Sequence, residues 1–569
     1  MNGFAYGDVS HNENSQFQVV DNLSYRAGSH QLKFGGDYRR LTPLIGANDV
    51  IASIIATSLQ EIHDNRAATV FVANSIRYNA LFNTYYFYGQ DTWKASNRLT
   101  LTYGLGWNLN PSPTGAGGKV PYTLAVAPDL SQTDQSSLAL APLGTPYYET
   151  DFGKLSPRFG FAYQFSQKPG RELVIRGGIG VFYDLGQTGF GNPGFPYSGN
   201  VFLSNVSFPL PAASLTIPER SLNLGPANRA TVTAASADFT LPRTYQWNLT
   251  AEQSLGKDQA LSVGYVAALG RDLVRVRRID IGLPGQAPGI YFSPNFSAVT
   301  LIDNGAESNY HSLQAQFTRR LSRGLQAIAS YTWSHSIDNA SSDGSFAAPG
   351  FTFPQDAYHG DSDFDVRHNF SAAFTYRIPS PKGKNFYSAV IGAWSLNTIF
   401  SARTGLPYTV QINELTPGGA SASFRRPSLT GQPLYLNDPN VATGRRLNPA
   451  AFNFLIPAGQ MGTLGRNALR GPGFWQMDTG IHRTFSLYEG LRMELRWEVF
   501  NVFNHSTFLY PSIQTAPVRN GVVTFAPNFG VITQSAARGF GGGGNTGGFN
   551  PLFQNGGPRS MQFAARFSF

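Results

Sequence analysis

Strict alternation of apolar and polar residues over long runs constrains this chain more than any other feature. In Leu491–Val499, LRMELRWEV, every odd position is apolar, and the even positions carry charges of both signs. A period of two places the apolar side chains on one face of a β-strand. Runs of about ten residues match a tilted membrane-spanning strand, whereas soluble strands more often have about five or six residues. The pattern therefore predicts long strands with one apolar face.

The same alternation recurs along the chain. It is found in 99–110, 261–267, 325–333 and 370–377. In a soluble sandwich the apolar face would be core, and in a barrel it would meet lipid while the polar face lines the interior.

Composition removes several other classes of protein. The 569 residues include 61 Gly and 36 Pro, which disfavours a mainly helical chain because both residues destabilise helices. Aromatic residues at 13% and charged residues at 14% argue against intrinsic disorder. The absence of Cys excludes a disulfide scaffold, thiolate zinc and Cys nucleophiles. The chain has no run of about 18 apolar residues, so its sequence does not predict a membrane-spanning helix. The net charge is +9, but the chain has no Lys/Arg cluster of the kind that would indicate nucleic-acid binding.

Connections between the predicted strands alternate in length. Short turns are expected at 27–30, 95–97, 167–170, 256–259, 322–323, 379–386 and 488–490. Long Gly/Pro/Asn/Ser-rich loops are expected at 42–79, 110–156, 185–242, 273–309, 337–367, 404–473 and 505–560. Such long loops are uncommon in compact soluble domains, but outer-membrane barrels have short periplasmic turns and long extracellular loops. We therefore predict an all-β fold, an antiparallel transmembrane β-barrel.

Aromatic residues and the C-terminus agree with that fold. All seven Trp fall in predicted strands, five toward strand ends, where membrane girdles are expected, and Trp394 and Trp497 nearer mid-strand. The last nine residues, MQFAARFSF, alternate and end on Phe. A final strand of this kind resembles the terminal signal that the barrel-assembly machinery reads in bacterial outer-membrane proteins. We predict that Phe563, Phe567 and Phe569 carry this barrel-assembly signal.

Several segments resemble the barrels of TonB-dependent receptors. They are FQVVDNLSYRAGSHQLKFGGDYRR (17–40), YYFYGQDTWKASNRLTLTYGLGW (85–107), 156–184, 309–338, 363–379 and 492–508. Within that family the chain is similar to the Oar-like subgroup, whose members often carry a carboxypeptidase-regulatory-like domain. The resemblance implies a 22-stranded barrel, an N-terminal plug and uptake of a bulky ligand energised through a TonB partner.

The chain also departs from that family pattern. No plug-like domain, regulatory-like domain, TonB box or signal peptide precedes the first strand pair at 17–41. We therefore expect 1–569 to be a receptor-like barrel portion that lacks the plug domain and the signal peptide. Strand counting supports a missing N-terminal part: fifteen strands are predicted, whereas single-chain bacterial barrels have an even number.

No grouping of residues indicates an enzyme. Asp361, Asp363 and Asp365 suggest a calcium loop, but Val366 and Ala372 stand where an EF-hand needs Gly and Glu. His359 and His368 flank this cluster without a reason to meet. The Gly-rich stretch 539–548 lacks the Lys-Ser/Thr of a phosphate loop, no G-x-S-x-G elbow is present, and a solvated turn accounts for the arginines at 319–323. We predict no catalytic residue, no metal site, no cofactor and no nucleic-acid partner, and leave the ligand site unknown.

Three functions remain open from sequence. The first is the barrel of an outer-membrane receptor or transporter in a Gram-negative bacterium, whose partners would be outer-membrane lipid, the barrel-assembly machinery and the TonB complex, reached through the missing N-terminal region. The second is a passive porin or a loop-presenting adhesin. The third is a soluble carbohydrate-active β-protein. The sequence does not name the ligand: peptides, oligosaccharides and metal chelates all remain open.

Overall fold

The computed structural model describes most of the chain. The described residues are 2–7, 13–45, 48–56, 59–75, 78–129, 131–186, 189–191, 194–210, 221–226, 228–282, 291–341, 355–379, 392–415, 422–457, 460–488, 490–508, 511, 523, 525, 527–533 and 556–569. The predicted Gly-rich loop at 539–548 and most of the predicted turn at 379–386 lie outside these ranges.

Fifteen long strands form the main sheet. They are β1 (Glu13–Ala27), β2 (His30–Ile45), β3 (Tyr78–Lys94), β4 (Leu99–Leu109), β5 (Leu155–Ser166), β6 (Leu173–Tyr183), β7 (Arg243–Ser254), β8 (Gln259–Gly282), β9 (Phe296–Ser322), β10 (Leu325–Asp338), β11 (His368–Arg377), β12 (Ser395–Arg403), β13 (Phe474–Tyr488), β14 (Leu491–Phe500) and β15 (Ser560–Ser568). Each of the fifteen predicted strands has its counterpart here.

Each strand pairs antiparallel with the next one along the chain, from β1 to β15. Among the described residues no ladder joins β1 to β15, so the sheet has two edges. All fifteen residues of β1 are exposed. The structure therefore confirms the all-β, antiparallel architecture and shows fifteen strands, without closing them into a complete barrel.

The register separates an apolar outer face from a polar inner face. Leu105, Trp107 and their partners lie on the outer face, as do Trp497 and Phe563, which pair across β14 and β15. Large outer-face side chains stay exposed, among them Phe34, Phe87, Tyr103, Leu105, Phe159, Leu249, Leu313, Trp333, Phe374, Trp497 and Phe563. Such a band is what a membrane-spanning sheet turns toward lipid.

Short turns lie along one edge of the strand ends and long connections along the other. One two-residue turn is Arg323–Gly324 between β9 and β10, where φ is +51° at Arg323 and +82° at Gly324. Two successive positive φ values give the two-residue turn whose twist matches paired strands. Trp394 lies directly before the first residue of β12, so it sits at a strand end and not at mid-strand as predicted.

The long-connection edge carries additional structure. Four strands, Asn2–Gly7, Asn48–Ala56, Arg66–Ser75 and Ser198–Ser207, form a second sheet. Helical turns are Leu59–His63, Ala116–Gly118, Gln355–Tyr358 and Pro449–Ala451. Further strands are Thr114–Gly115, Ala230–Ala235, Tyr291–Phe292, Gly360–Asp361, Pro407–Tyr408, Ile412–Leu415, Ala422–Arg425, Ser428–Leu429, Tyr435–Asn437, Arg445–Leu447, Phe452–Asn453 and Leu469–Arg470. None of the described helices is long and apolar enough to cross a membrane.

The prediction of a loop at 273–309 is wrong for most of these residues, which form paired strands. Residues on both sides of it continue β8 and β9 as a paired ribbon, for example Ile279 with Val299. Arg275 and Arg277 both contact the buried carboxylate of Asp303, at 3.0 and 2.6 Å. Strands of 24 and 27 residues are more than twice as long as a membrane span of about ten residues requires. The ribbon therefore extends well beyond the membrane.

The buried apolar clusters lie on the long-connection side. One joins Leu124, Leu138, Phe195, Ala230, Val232, Ala234, Ile279, Ile281, Tyr291, Phe296, Val299 and Leu301. Another joins Tyr78, Ala80, Phe82, Phe190, Ala235, Phe239, Val274 and Ile302. A sheet whose apolar face meets lipid needs no internal apolar core, but connections in water must bury their own apolar side chains. We call this folded assembly of connections the loop layer.

Candidate functional site: the loop layer and the inner face

The connection 404–473 folds around its own apolar cluster. The cluster joins Tyr408, Val410, Ile412, Leu447, Ala451, Phe452, Phe454, Leu464, Leu469 and Phe529. Arg425, with 1% of its surface exposed, donates from Nη1 to the carbonyl oxygens of Ile456, Pro457 and Gln460 at 3.1, 2.6 and 3.1 Å. A buried guanidinium is tolerated where carbonyl oxygens satisfy its donors. Arg425 therefore fixes the conformation of this connection.

Ion pairs join this connection to the one after β10. Arg466 Nη1 lies 2.7 Å from Asp338 Oδ1, and its Nη2 lies 3.0 Å from Asp363 Oδ1. Asn467 donates from Nδ2 to the same Asp363 oxygen at 2.6 Å. Asp338 is almost fully buried, with 2% of its side chain exposed. We call the contacts between segments 361–365 and 466–470, together with Asp338, the latch.

Arg470 completes the latch. Its Nη2 contacts carboxylate oxygens of both Asp361 and Asp365. His335 Nε2 lies 2.8 Å from the other Asp361 oxygen. Burial raises the pKa of Asp361, but hydrogen bonds from His335 and Arg470 outweigh it and hold that pKa below its ordinary value. The latch is therefore a charge network in which Asp361 is ionised.

The three alternating aspartates are each paired with an arginine. Ligand atoms of His335, Asp361 and Asp365 lie within 4.8 Å of one another, as a cation site would require. A guanidinium already bonds both carboxylates, however, and supplies the positive charge that a metal ion would bring. The geometry supports an arginine-paired cluster at this point.

His359 and His368 do not come together at the cluster. His359 is exposed beside it, and His368 Nδ1 lies 2.8 Å from the Tyr331 hydroxyl. The histidine that reaches Asp361 is His335, which sequence reasoning missed. Arg466 and Arg470 were missed as well, because more than 100 residues separate each of them from its carboxylate partner. Their only sequence signal is two basic residues four positions apart in a long loop.

The inner face of the sheet is polar and linked by hydrogen bonds. Thr375 donates to Asn397 Oδ1 at 2.8 Å, and Asn397 Nδ2 lies 2.9 Å from His482 Nδ1. On β14, Arg496 donates to Glu494 through two bonds of 2.9 and 3.0 Å. Charged and amide side chains of this kind suit a water-filled interior and a hydrophilic ligand.

The predicted cluster Arg319, Arg320 and Arg323 lies at the short-turn edge. Arg319 Nη2 donates to the Ser322 carbonyl at 3.4 Å, and the backbone N–H of Arg320 donates to the Asp258 carbonyl at 2.8 Å. Arg323 lines a cavity of about 640 Å³ together with Thr375, Arg377, Ser395, His482 and Thr484. The three arginines therefore do not converge on one point.

The three phenylalanines predicted as an assembly signal lie on or directly after the C-terminal strand. Phe563 and Phe567 lie on the outer face of β15, opposite Trp497 and Met493, and are 77% and 54% exposed. Phe569 follows the last residue of the strand and is fully exposed. The Phe563 ring stacks on the Trp497 indole at 5.9 Å.

Comparison with known proteins decides the family. The sequence matches the family described as "Outer membrane beta barrel domain" over residues 1–541. The chain belongs to this family. The outer membrane beta barrel domain accounts for the exposed apolar outer face and places the protein in the Gram-negative outer membrane. The soluble alternative is therefore wrong.

Solved structures similar to this outer membrane beta barrel domain include two transporters and one receptor. The copper transporter OprC shares 12% identity over 92% of this chain and 56% of its own, with a TM-score of 0.41. The siderophore receptor PiuA from Acinetobacter baumannii shares 8% identity over 98% of this chain and 56% of its own, with a TM-score of 0.45. The ferric citrate transporter FecA in the unliganded form shares 10% identity over 91% of this chain and 60% of its own, with a TM-score of 0.37. The chain thus spans little more than half the length of each. No curated protein sequence matches it.

Proposed function

We propose that this chain is the barrel part of a TonB-dependent receptor-like protein that takes up a bulky ligand. One observation carries the proposal: in the part of the chain that the structure describes, a sheet with an apolar outer face and a polar inner face bears a folded loop layer at one end. The loop layer offers a shaped surface on the cell exterior, and the inner face offers a hydrophilic path through the membrane. The resemblance of six segments to receptor barrels supports the same function.

In this proposal the remaining strands, the plug and the TonB-contacting segment belong to the full-length protein. The two edges of the fifteen-stranded sheet support this part, because lipid offers no hydrogen-bond partner to the backbone of an edge strand. A 22-stranded total and an Oar-like arrangement are the corresponding expectations.

TonB contact is tested with the product of the natural gene. The purified protein should retain the periplasmic domain of TonB in a pull-down, whereas an unrelated porin should not. Sensitivity of cells to vancomycin then separates an energised receptor from a passive pore, since an open pore wide enough to admit vancomycin would sensitise cells whether or not they contain TonB. Failure to bind TonB together with TonB-independent sensitivity would replace this proposal by the passive porin.

A loop-presenting adhesin is the second candidate. The folded loop layer favours it, because Arg425 and the latch hold two connections in one defined conformation. Cells that display the protein would then bind a surface through 404–473, and exchanging that connection would abolish adhesion without changing membrane assembly.

We also propose that Phe563, Phe567 and Phe569 form the barrel-assembly signal. Support comes from their exposure on the last strand, where a partner protein can reach all three rings.

A further inference from the structure

Aromatic rings lie on the inner face, where the strand pattern otherwise places polar and small residues. Tyr86 and Tyr88 of β3 project to this face, and their rings lie 5.9 Å apart with planes 18° apart. Arg158 of β5 and Phe182 of β6 lie beside these tyrosines on the same face. The Arg158 guanidinium lies 4.6 Å from the centre of the Phe182 ring and 5.8 Å from the centre of the Tyr86 ring. We call these four residues the aromatic shelf.

Glycines allow the two tyrosine rings to lie close against the neighbouring strands. A Cβ on Gly35 would lie 2.5 Å from Tyr88 Cε1, and a Cβ on Gly106 would lie 2.5 Å from the Tyr86 hydroxyl. The rings therefore approach the neighbouring strands more closely than a residue with a Cβ at Gly35 or Gly106 would allow. Both tyrosines and Phe182 remain partly exposed, so apolar ring surface stays accessible from the interior.

Arg158 gives the shelf a positive charge. It is exposed and forms no ion pair with any residue that the structure describes. Its neighbour on the inner face, Arg176, differs, because Arg176 Nη2 lies 3.4 Å from Glu252 Oε2. The nearby acid Asp37 is already occupied by Gln18 and Arg39, at 2.9 and 3.5 Å. Arg158 is therefore available to an anion.

Amide side chains border the shelf. Asn22 accepts a hydrogen bond of 2.7 Å from the Tyr88 hydroxyl, and Asn108 donates to the Ser156 hydroxyl at 3.2 Å. Gln90 and Gln246 lie on the same face, opposite Gly104 and Gly180. Each amide offers both donors and acceptors, which suits a ligand with many hydroxyl groups.

The aromatic shelf lies where a chain-like ligand would pass through the interior, and it is long enough to contact such a ligand at several points. Tyr88 and Tyr86 lie six and eight residues from Lys94 along β3, or about 20 to 26 Å from the short-turn end at the rise of a strand. From β3 to β6 the shelf crosses three inter-strand spacings, about 14 Å. It therefore lies in the exterior half of the interior and can contact more than one ring of a ligand.

We propose that the aromatic shelf binds an acidic oligosaccharide, a chain of pyranose rings that carry carboxylates. The C–H faces of the sugar rings would pack on Tyr86, Tyr88 and Phe182, because aromatic faces accept apolar groups with partial positive charge. Hydroxyl groups would bond the bordering amides, and a carboxylate would take the fork of Arg158. This inference rests on the proposed uptake function and names its substrate class.

Binding is measured by titration calorimetry on the product of the natural gene, folded in detergent. Tri-galacturonate is the probe, maltotriose the neutral sugar, and 2,3-dihydroxybenzoate the aromatic acid that could also stack and pair with Arg158. We expect tri-galacturonate to bind at least about tenfold more tightly than maltotriose, since a bidentate carboxylate pair is worth that ratio. The aromatic acid should bind more weakly than tri-galacturonate.

Variants assign the binding to the shelf. Arg158→Gln should remove the preference for the acidic sugar, and Tyr86→Leu should weaken both sugars, whereas Tyr86→Phe, which keeps the ring, should bind like the parent protein. Arg176→Gln is the matched control on the same face and should leave affinity unchanged. Heat-modifiable migration on gels shows which variants are folded.

Three results would overturn the assignment: no sugar binding by folded protein, equal losses in Arg158→Gln and Arg176→Gln, or preference for the aromatic acid. The proposed uptake function fails separately. If tri-galacturonate binds the shelf but uptake does not depend on TonB, the binding site stands and the energised transport does not.

Discussion

The Asp91 carboxylate lies 2.7 Å from Nδ1 of His30 on the outer face of the sheet. Tyr103 donates its hydroxyl to the same carboxylate oxygen at 2.8 Å. The His30 ring stacks on the Trp93 indole, with centroids 5.5 Å apart. Only 7% of Asp91 is exposed, and register places it beside Leu32 and Tyr103 on the face that meets lipid. The acidic side chain of Asp91 therefore lies among apolar and aromatic residues and is held there by hydrogen bonds with His30 and Tyr103.

The first prediction concerns this acid. His30→Ala should destabilise the folded sheet, because it leaves a carboxylate on the lipid face with one partner fewer. The double variant His30→Ala, Asp91→Leu should recover stability, since it removes the polar group as well. Urea unfolding in lipid vesicles, followed by tryptophan fluorescence, measures both. Asp37→Asn on the inner face is the control and should have a smaller effect. A double variant that is less stable than the single one would contradict this account.

The second prediction compares the two faces of β14. Leu495→Arg should cost about 2–4 kcal/mol, because it places a charge near the middle of the lipid face. Arg496→Leu should be milder, since its side chain lies on the inner face and loses only an exposed pair with Glu494. The same unfolding measurement serves both variants. Equal effects would indicate that water, and not lipid, covers the Leu495 face.

The main sheet could be predicted from sequence, because alternation is local. Leu491–Val499 shows its two faces in nine consecutive residues, and the runs in 99–110, 261–267, 325–333 and 370–377 follow the same rule. The loop layer could not be predicted in this way. Asp338 and Arg466 lie 128 positions apart, and no periodic pattern links them.

Two other features show where pattern reading fails. The extension of β8 beyond the membrane was predicted as part of a Gly/Pro/Asn/Ser-rich loop, whereas Arg275 and Arg277 pair with Asp303 within the ribbon. The aromatic shelf was missed because Tyr86 and Tyr88 stand within the aromatic run YYFY. Only the register places those two rings on the inner face and Phe87 on the outer one.

The third prediction concerns the latch. Arg466→Met should loosen the loop layer by about 3 kcal/mol, because it leaves the buried carboxylate of Asp338 without its cation. Hydrogen exchange should rise in 355–367 and 460–470 and stay unchanged in β14. Arg445→Met, an exposed arginine of the same connection, is the matched control. Unchanged exchange in the latch segments of Arg466→Met would show that the ion pair does not hold the two connections together.

The fourth prediction is that acid opens the latch. His335 and Arg470 hold the pKa of Asp361 below its ordinary value of 3.8, although burial opposes them. A carboxyl whose pKa is lowered on folding contributes stability above its ordinary pKa and loses it as pH falls through the lowered one. Protease cleavage in 355–367 should therefore increase below about pH 3.8. In Asp361→Asn, cleavage should already be increased at neutral pH and should depend less on acid. A parent protein equally resistant at pH 3 and pH 7 would contradict this.

The fifth prediction concerns the assembly signal. Deleting Phe569 should lower the fraction of protein that reaches the outer membrane far more than it lowers synthesis. The ring is fully exposed beyond the last strand, so its loss should leave the packing of the sheet nearly unchanged. Membrane fractionation and heat-modifiable migration give the two quantities. Ser568→Ala, one position earlier on the inner face, is the control. Normal assembly of the deletion would remove the role proposed for this residue.

The last prediction fixes which edge of the sheet faces the cell exterior. Because the chain has no Cys, a single introduced Cys reports its own position without background. Asn440→Cys lies in the loop layer, and Lys257→Cys lies in the short turn between β7 and β8; both positions are exposed. Long connections of outer-membrane barrels face outward and short turns face the periplasm. A membrane-impermeant maleimide added to intact cells should therefore label Asn440→Cys and leave Lys257→Cys unlabelled, and lysis should make both react. The reverse result on intact cells would invert the sheet in the membrane and place the aromatic shelf in its periplasmic half, out of first reach of a ligand from outside.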